Sequence, residues 1–111
     1  NIVAASIQNK SGQFVKPTIE AGSLALSGIQ LDENLAGTDP NPEAEGAYPI
    51  ATLTWILAYQ NGNGKNTEAI KTTLSKLLSD EYQDKASSLG FVPLKGNILE
   101  KSRNAVQRIS K

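Results

Sequence analysis

The chain reads as an α/β protein of short strands, one long strand and about four helices, and three observations predict this. The run Gly46-Ala47-Tyr48-Pro49-Ile50-Ala51-Thr52-Leu53-Thr54-Trp55-Ile56-Leu57-Ala58-Tyr59 is the longest apolar stretch and holds the only Trp and two of the three Tyr. Rich in β-branched and aromatic residues and free of charge, it predicts a buried strand. From Thr67 onward, apolar residues recur at three- and four-residue spacing, which predicts helices. Between these stretches Gly, Pro and Asn cluster as turns and links.

The elements follow in order. Ile2 to Ile7 alternates loosely, with Val3, Ala5 and Ile7 on one side, and predicts a short strand. Asn9-Lys10-Ser11-Gly12 is turn chemistry, and Phe14-Val15 forms a second short extended piece. Pro17-Thr18-Ile19-Glu20 starts a helix, with Pro in the first turn where its missing N–H costs nothing. Ile19, Ser23, Leu24 and Leu26 give that helix a partly apolar face ending near Gly28, and Gly22 weakens it. Thr38 to Gly46 holds two Pro and three acids, a surface linker that enters the long strand.

Asn61-Gly62-Asn63-Gly64 breaks the strand. Asn66 or Thr67 caps the next helix, whose inner face is Ile70, Leu74, Leu77 and Leu78. Ser79 restarts a third helix with Tyr82, Ala86 and Leu89 facing inwards, stopped by Gly90. Phe91-Val92-Pro93-Leu94 is an extended link. A last helix from about Asn97 carries Ile98, Leu99, Ser102, Ala105, Val106 and Ile109 as its apolar stripe.

Composition narrows the chemistry. The 111 residues suit one ordinary domain at most, or a piece of something larger. Eleven basic residues balance eleven acidic ones, so no global field steers the chain towards nucleic acid or an anionic membrane. One Trp, three Tyr and two Phe are too few for a base-stacking platform. No apolar run reaches the roughly 18 residues of a spanning helix. With no Cys and no His there is no disulfide, thiol nucleophile, imidazole base or His-bearing zinc site. The opening Asn-Ile-Val-Ala-Ala, without Met or leader, reads as a processed protein or an excised fragment.

Five groups are candidate sites. Gly62-Asn63-Gly64-Lys65-Asn66-Thr67 lies between strand and helix, where phosphate loops occur, but lacks the spaced glycines before Lys-Ser/Thr and reads as a plain turn. Asp32, Glu33, Asp39, Glu43 and Glu45 form an acidic cluster without the alternation of a calcium loop, and read as solvated. Tyr48 and Trp55 could line a cleft; seven residues apart on a strand they face opposite ways, and Trp55 reads as core. An edge or hinge role stays open for Tyr48, beside Pro49. Lys101, Arg103, Arg108 and Lys111 make the last helix mildly basic and complement its dipole. Asn9-Lys10-Ser11 matches the glycosylation triplet.

Four blocks in order resemble the C-terminal third of the phosphate-binding proteins of bacterial phosphate ABC transporters, especially the cyanobacterial kind. They are Gln8-Asn9-Lys10-Ser11-Gly12-Gln13-Phe14-Val15-Lys16-Pro17-Thr18; Gly46-Ala47-Tyr48-Pro49-Ile50 with Thr54-Trp55-Ile56-Leu57; Leu89-Gly90-Phe91-Val92-Pro93-Leu94; and Lys101-Ser102-Arg103 with Ala105-Val106. The resemblance implies an incomplete periplasmic-binding-protein type II fold. Residues 1–46 would then complete lobe two with its linker, and 47–111 would be the return segment of lobe one, opening on a crossing strand.

The family's phosphate ligands sit in a Thr-Gly-Ala-Gly-like loop, a following Asp, and an Arg with a Ser-Gly-Thr-like loop. None of these motifs occurs here, so no catalytic, ligand-binding or metal residue is assigned and no cofactor is expected. The resemblance implies partners for the full-length protein: inorganic phosphate, an ABC permease and the missing N-terminal part, but no nucleic acid. It also implies a periplasmic location, soluble or lipid-anchored, and no enzyme activity. The competing readings are a carrier of another oxyanion such as sulfate or molybdate, a phosphatase-like relative, and a small self-folding interaction module.

Overall fold

The computed structural model of the chain describes residues 3–111. It holds a two-stranded antiparallel sheet and four α-helices: β1 (Ile7–Gln8), β2 (Phe14–Val15), α1 (Ile19–Ser27), α2 (Thr67–Leu77), α3 (Asp80–Ala86) and α4 (Gly96–Gln107). Ile7 pairs with Val15 and Gln8 with Phe14. The hairpin therefore starts later than the alternation predicts; Ala4 to Ser6 are unpaired and Ile2 lies outside the described residues.

Helix α1 is set by its cap. Thr18, not Pro17, is the N-cap, and its hydroxyl accepts from Ala21 N–H at 3.1 Å. Pro17 thus stands before the helix rather than in its first turn. The buried face is Ala21, Gly22, Ala25 and Leu26, while Leu24 is exposed. Small residues line this face because α1 is approached closely by the 91–94 link: a Cβ on Gly22 would stand 2.7 Å from Val92 Cγ2. Gly28 is the C-cap, at φ −86°, ψ −14°, and so does not use the left-handed freedom of glycine.

The core joins the end of α1 to the start of α4. Leu26, Ile29, Leu31 and Ile98 are buried together, with Leu35, Ala51, Leu53, Val92 and Leu94 packed around them. Each such side chain removed from water contributes about 1.5–3 kcal/mol. Helix α2 packs on α4, where Lys71 Nζ reaches Gln107 O at 3.1 Å, and Val106 and Ile109 are buried.

The long strand is the main correction. Residues 51–59 form no strand and pair with no other segment among the described residues. Ile50, Ile56 and Tyr59 are exposed, and Leu57 is 94% exposed. Trp55, expected in the core, is 45% exposed, its indole N–H donating to Leu35 O at 2.8 Å. The physical reason is that a strand needs hydrogen-bonded neighbours, and the hairpin contributes only two residues from each side. Apolar composition marks a segment suited to a sheet but does not supply the sheet.

In smaller corrections, Leu77, Tyr82 and Leu89 are exposed rather than inward. Ser79 is the N-cap of α3, yet its hydroxyl donates back to Lys76 O at 2.7 Å. Asn66 precedes α2 without a side-chain cap, because a 3-10 turn over Gly64–Asn66 leads in. Within the surface linker, Pro42 is fully buried. The radius of gyration is 16.0 Å, with extents of 51 × 30 × 22 Å. A compact chain of this length has about 13 Å. The molecule is elongated, with the apolar run beyond Leu53 outside the core.

Candidate functional site

The most tightly connected polar arrangement is a clasp between the hairpin tip and the end of the linker. Asn9 is 5% exposed. Its Oδ1 accepts from Gln13 N–H at 2.9 Å and from Ser11 Oγ at 2.8 Å, and its Nδ2 donates to Ala47 O at 3.3 Å. Gln13 reaches the same segment: Oε1 accepts from Gly46 N–H at 2.9 Å and Nε2 donates to Glu45 at 2.9 Å. Lys10 pairs with Glu43. Ala47 is fully buried, and Tyr48 N–H donates to Ala21 O at 3.1 Å.

The sequence singles out Asn9-Lys10-Ser11 only as a glycosylation triplet. The structure gives all three residues to this clasp, with Asn9 turned inwards. The linker partners of Gln13, Glu45 and Gly46, lie more than thirty positions away, beyond the reach of local sequence patterns. Tyr48, half-buried beside buried Pro49, is the point where the clasped junction gives way to the unpaired run.

The remaining candidates disperse. Asp32 Oδ1 accepts from Asn34 and Ala36 N–H, and Asp39 Oδ1 from Asn41 N–H, so both close local turns. Glu43 and Glu45 belong to the clasp, and Glu33 stands exposed. Among the described residues no three His, Cys, Asp or Glu side chains gather as metal ligands would. Thr67 Oγ1 donates to Gly64 O at 2.8 Å, and Asn63 Nδ2 donates to Tyr59 O and Ser110 O, so the Gly62–Thr67 segment is built as a turn.

The basic residues of α4 act on other segments rather than on their own helix end. Lys101 donates to Leu31 O at 2.8 Å. Arg103 donates through Nε and a terminal nitrogen to Leu78 O, and meets Asp80 at 2.7 Å. Arg103 therefore ties the end of α2 to the start of α3. Arg108 and Lys111 remain exposed.

Two shallow grooves are present. One of about 280 Å³ has Asp32 and Glu33 on one wall and Lys101, Asn104 and Arg108 on the other. Mixed charge of this kind focuses no single-sign field on an anion. The other, about 200 Å³, lies between Ser23–Gln30 and Pro93–Ile98. Neither groove sets a nucleophile against a base.

Comparison with known proteins gives the decisive observation. The chain is 30% identical over 124 aligned positions to the phosphate-binding protein PstS of Methanocaldococcus jannaschii, covering 95% of this chain and 30% of that protein. It is similar to PstS phosphate-binding proteins. The Pasteurella multocida PstS is 30% identical across 87% of the chain, and that of Xylella fastidiosa 33% across 86%. The chain spans about 30% of the length of these relatives. No protein-family model matches it. No helix among the described residues is long and apolar enough to cross a membrane.

Proposed function

We propose that this chain is part of the substrate-binding component of an ABC transporter for inorganic phosphate uptake, and that it lacks the phosphate ligands. The observation that carries the reading is similarity to PstS along nearly the whole chain but over under a third of each relative. The placement in the C-terminal third and the cyanobacterial character are part of the proposal and rest on the sequence blocks.

On this reading the whole protein is periplasmic, is not an enzyme, captures phosphate and presents it to a permease. Residues 1–46 close lobe two, and 47–111 return to lobe one. The clasp at Ala47 supports a boundary there, because it fixes the junction from which the unpaired run departs. That run supports the idea of a piece: an unpaired segment of strand-favouring composition with exposed apolar side chains is completed by strands from the rest of the protein. The fold so completed is the periplasmic-binding-protein type.

Phosphate binding by the isolated chain is the direct test, measured by isothermal titration. No binding heat is expected. One-to-one binding at micromolar concentration would show that the ligands are in this chain after all.

A further inference from the structure

The turn Asn61-Gly62-Asn63-Gly64 contains two Asn-Gly pairs, and the structure treats them differently. Asn-Gly is the dipeptide in which the following amide nitrogen most readily reaches the Asn side chain, because glycine places no Cβ in the way. Asn61 is exposed, and its Oδ1 accepts from Ser110 Oγ at 2.6 Å. Among the described residues neither Asn61 Nδ2 nor Gly62 N–H makes a hydrogen bond. Gly62 has φ +87°, and nothing stands within 4 Å of where its Cβ would be. Ser110 is itself anchored, its N–H donating to Gln60 O at 2.7 Å.

Asn63 is held in the opposite way. Its Nδ2 donates to Tyr59 O at 2.9 Å and Ser110 O at 3.0 Å. Its backbone lies at φ −77°, ψ −11°, which turns the Gly64 nitrogen away from its own side chain. The Asn63 carbonyl accepts from Asn66 N–H at 3.0 Å, so rotating the Asn63 backbone into the attacking geometry breaks that bond.

We propose that Asn61 is a site of spontaneous deamidation, promoted by the Ser110 hydroxyl, while Asn63 is protected. The Gly62 nitrogen forms a bond to Asn61 Cγ and gives its proton to solvent. The carbonyl electron pair moves onto Oδ1, where the Ser110 hydroxyl donates to the developing oxyanion. The pair returns, the Cγ–Nδ2 bond breaks, and Nδ2 leaves as ammonia with a proton from solvent. The succinimide then takes up one water and opens to aspartate or isoaspartate. The product adds a negative charge at position 61, and the isoaspartyl form lengthens the backbone beside the Ser110 contact.

Timed incubation at neutral pH, followed by peptide mapping by mass spectrometry, tests the site. Asn61 should convert before Asn63. Ser110→Ala, which keeps the backbone bond to Gln60, should slow Asn61 roughly tenfold, less than an enclosed oxyanion donor because water competes. Ser110→Thr, which keeps the hydroxyl, should retain the rate. In urea the two sites should convert alike and Ser110→Ala should have no effect. Equal rates at Asn61 and Asn63 in the folded chain would overturn the proposal. So would an unchanged rate in Ser110→Ala, or an order of conversion that survives in urea.

Discussion

Gly22 and Val92 are in contact so close that a single added methyl on Gly22 would lie 2.7 Å from Val92 Cγ2. In an isolated helix alanine is favoured over glycine by about 1 kcal/mol. Here overpacking opposes it, at about 1–3 kcal/mol. Gly22→Ala is therefore expected to lower the urea midpoint despite its better helix propensity. Adding Val92→Ala should recover most of the loss, because the clash is then removed.

Asn9→Ala is expected to destabilise by about 1–3 kcal/mol, the cost of leaving buried partners unsatisfied. The Ala47 carbonyl and the Gln13 N–H lose their partner together. Asn9→Asp should not rescue, since a carboxylate cannot donate to Ala47 O. Urea unfolding of the two variants beside the parent chain measures both effects.

The ion pairs give a pH dependence whose sign is fixed. The Lys10 ammonium beside Glu43 holds that carboxyl below its ordinary value of 4.5, and Lys85 does the same for Glu81. Glu20 is lowered by its own backbone N–H and by the Thr18 hydroxyl. A depressed carboxylate contributes stability above its unfolded value and loses it as pH falls through the folded one. Lys10 and Lys85 are raised above 10.5 by the same carboxylates, so their share is lost only as pH rises beyond that. Thermal midpoints should be flat through neutral pH and fall below about 4.5. The fall should be smaller in a Glu43→Gln, Glu81→Gln variant.

Hydrogen exchange should divide the chain in two. Amides in Ala21–Leu26 and from 100 to 106 lie in packed helices and should exchange slowly. Amides from 51 to 58 have no backbone partner among the described residues and should exchange fast in the isolated chain. Fast exchange throughout would contradict the core described for α1 and α4.

What was legible in the sequence was local chemistry. Gly90 ends the helical turn after α3 at φ +80°, a left-handed position that glycine's own freedom fixes locally, while Gly28 closes α1 and Ser79 opens α3. The run from Gly46 to Tyr59 is no strand, because strand formation depends on partners that composition does not reveal. Gly22 looked like a flaw until Val92, seventy positions on, gave it a reason. Asn9 and Gln13 were opaque for the same cause, their partners lying on the linker far along the chain. The PstS likeness was legible because its motif blocks are contiguous.

The most direct measurement is a side-by-side phosphate titration of the isolated chain and of the longest protein from its source that contains it. The longer protein should take up one phosphate per chain at micromolar concentration while the isolated chain gives no signal. Binding by the isolated chain, or silence from the longer protein, would contradict the reading of this chain as the ligand-free part of a phosphate carrier.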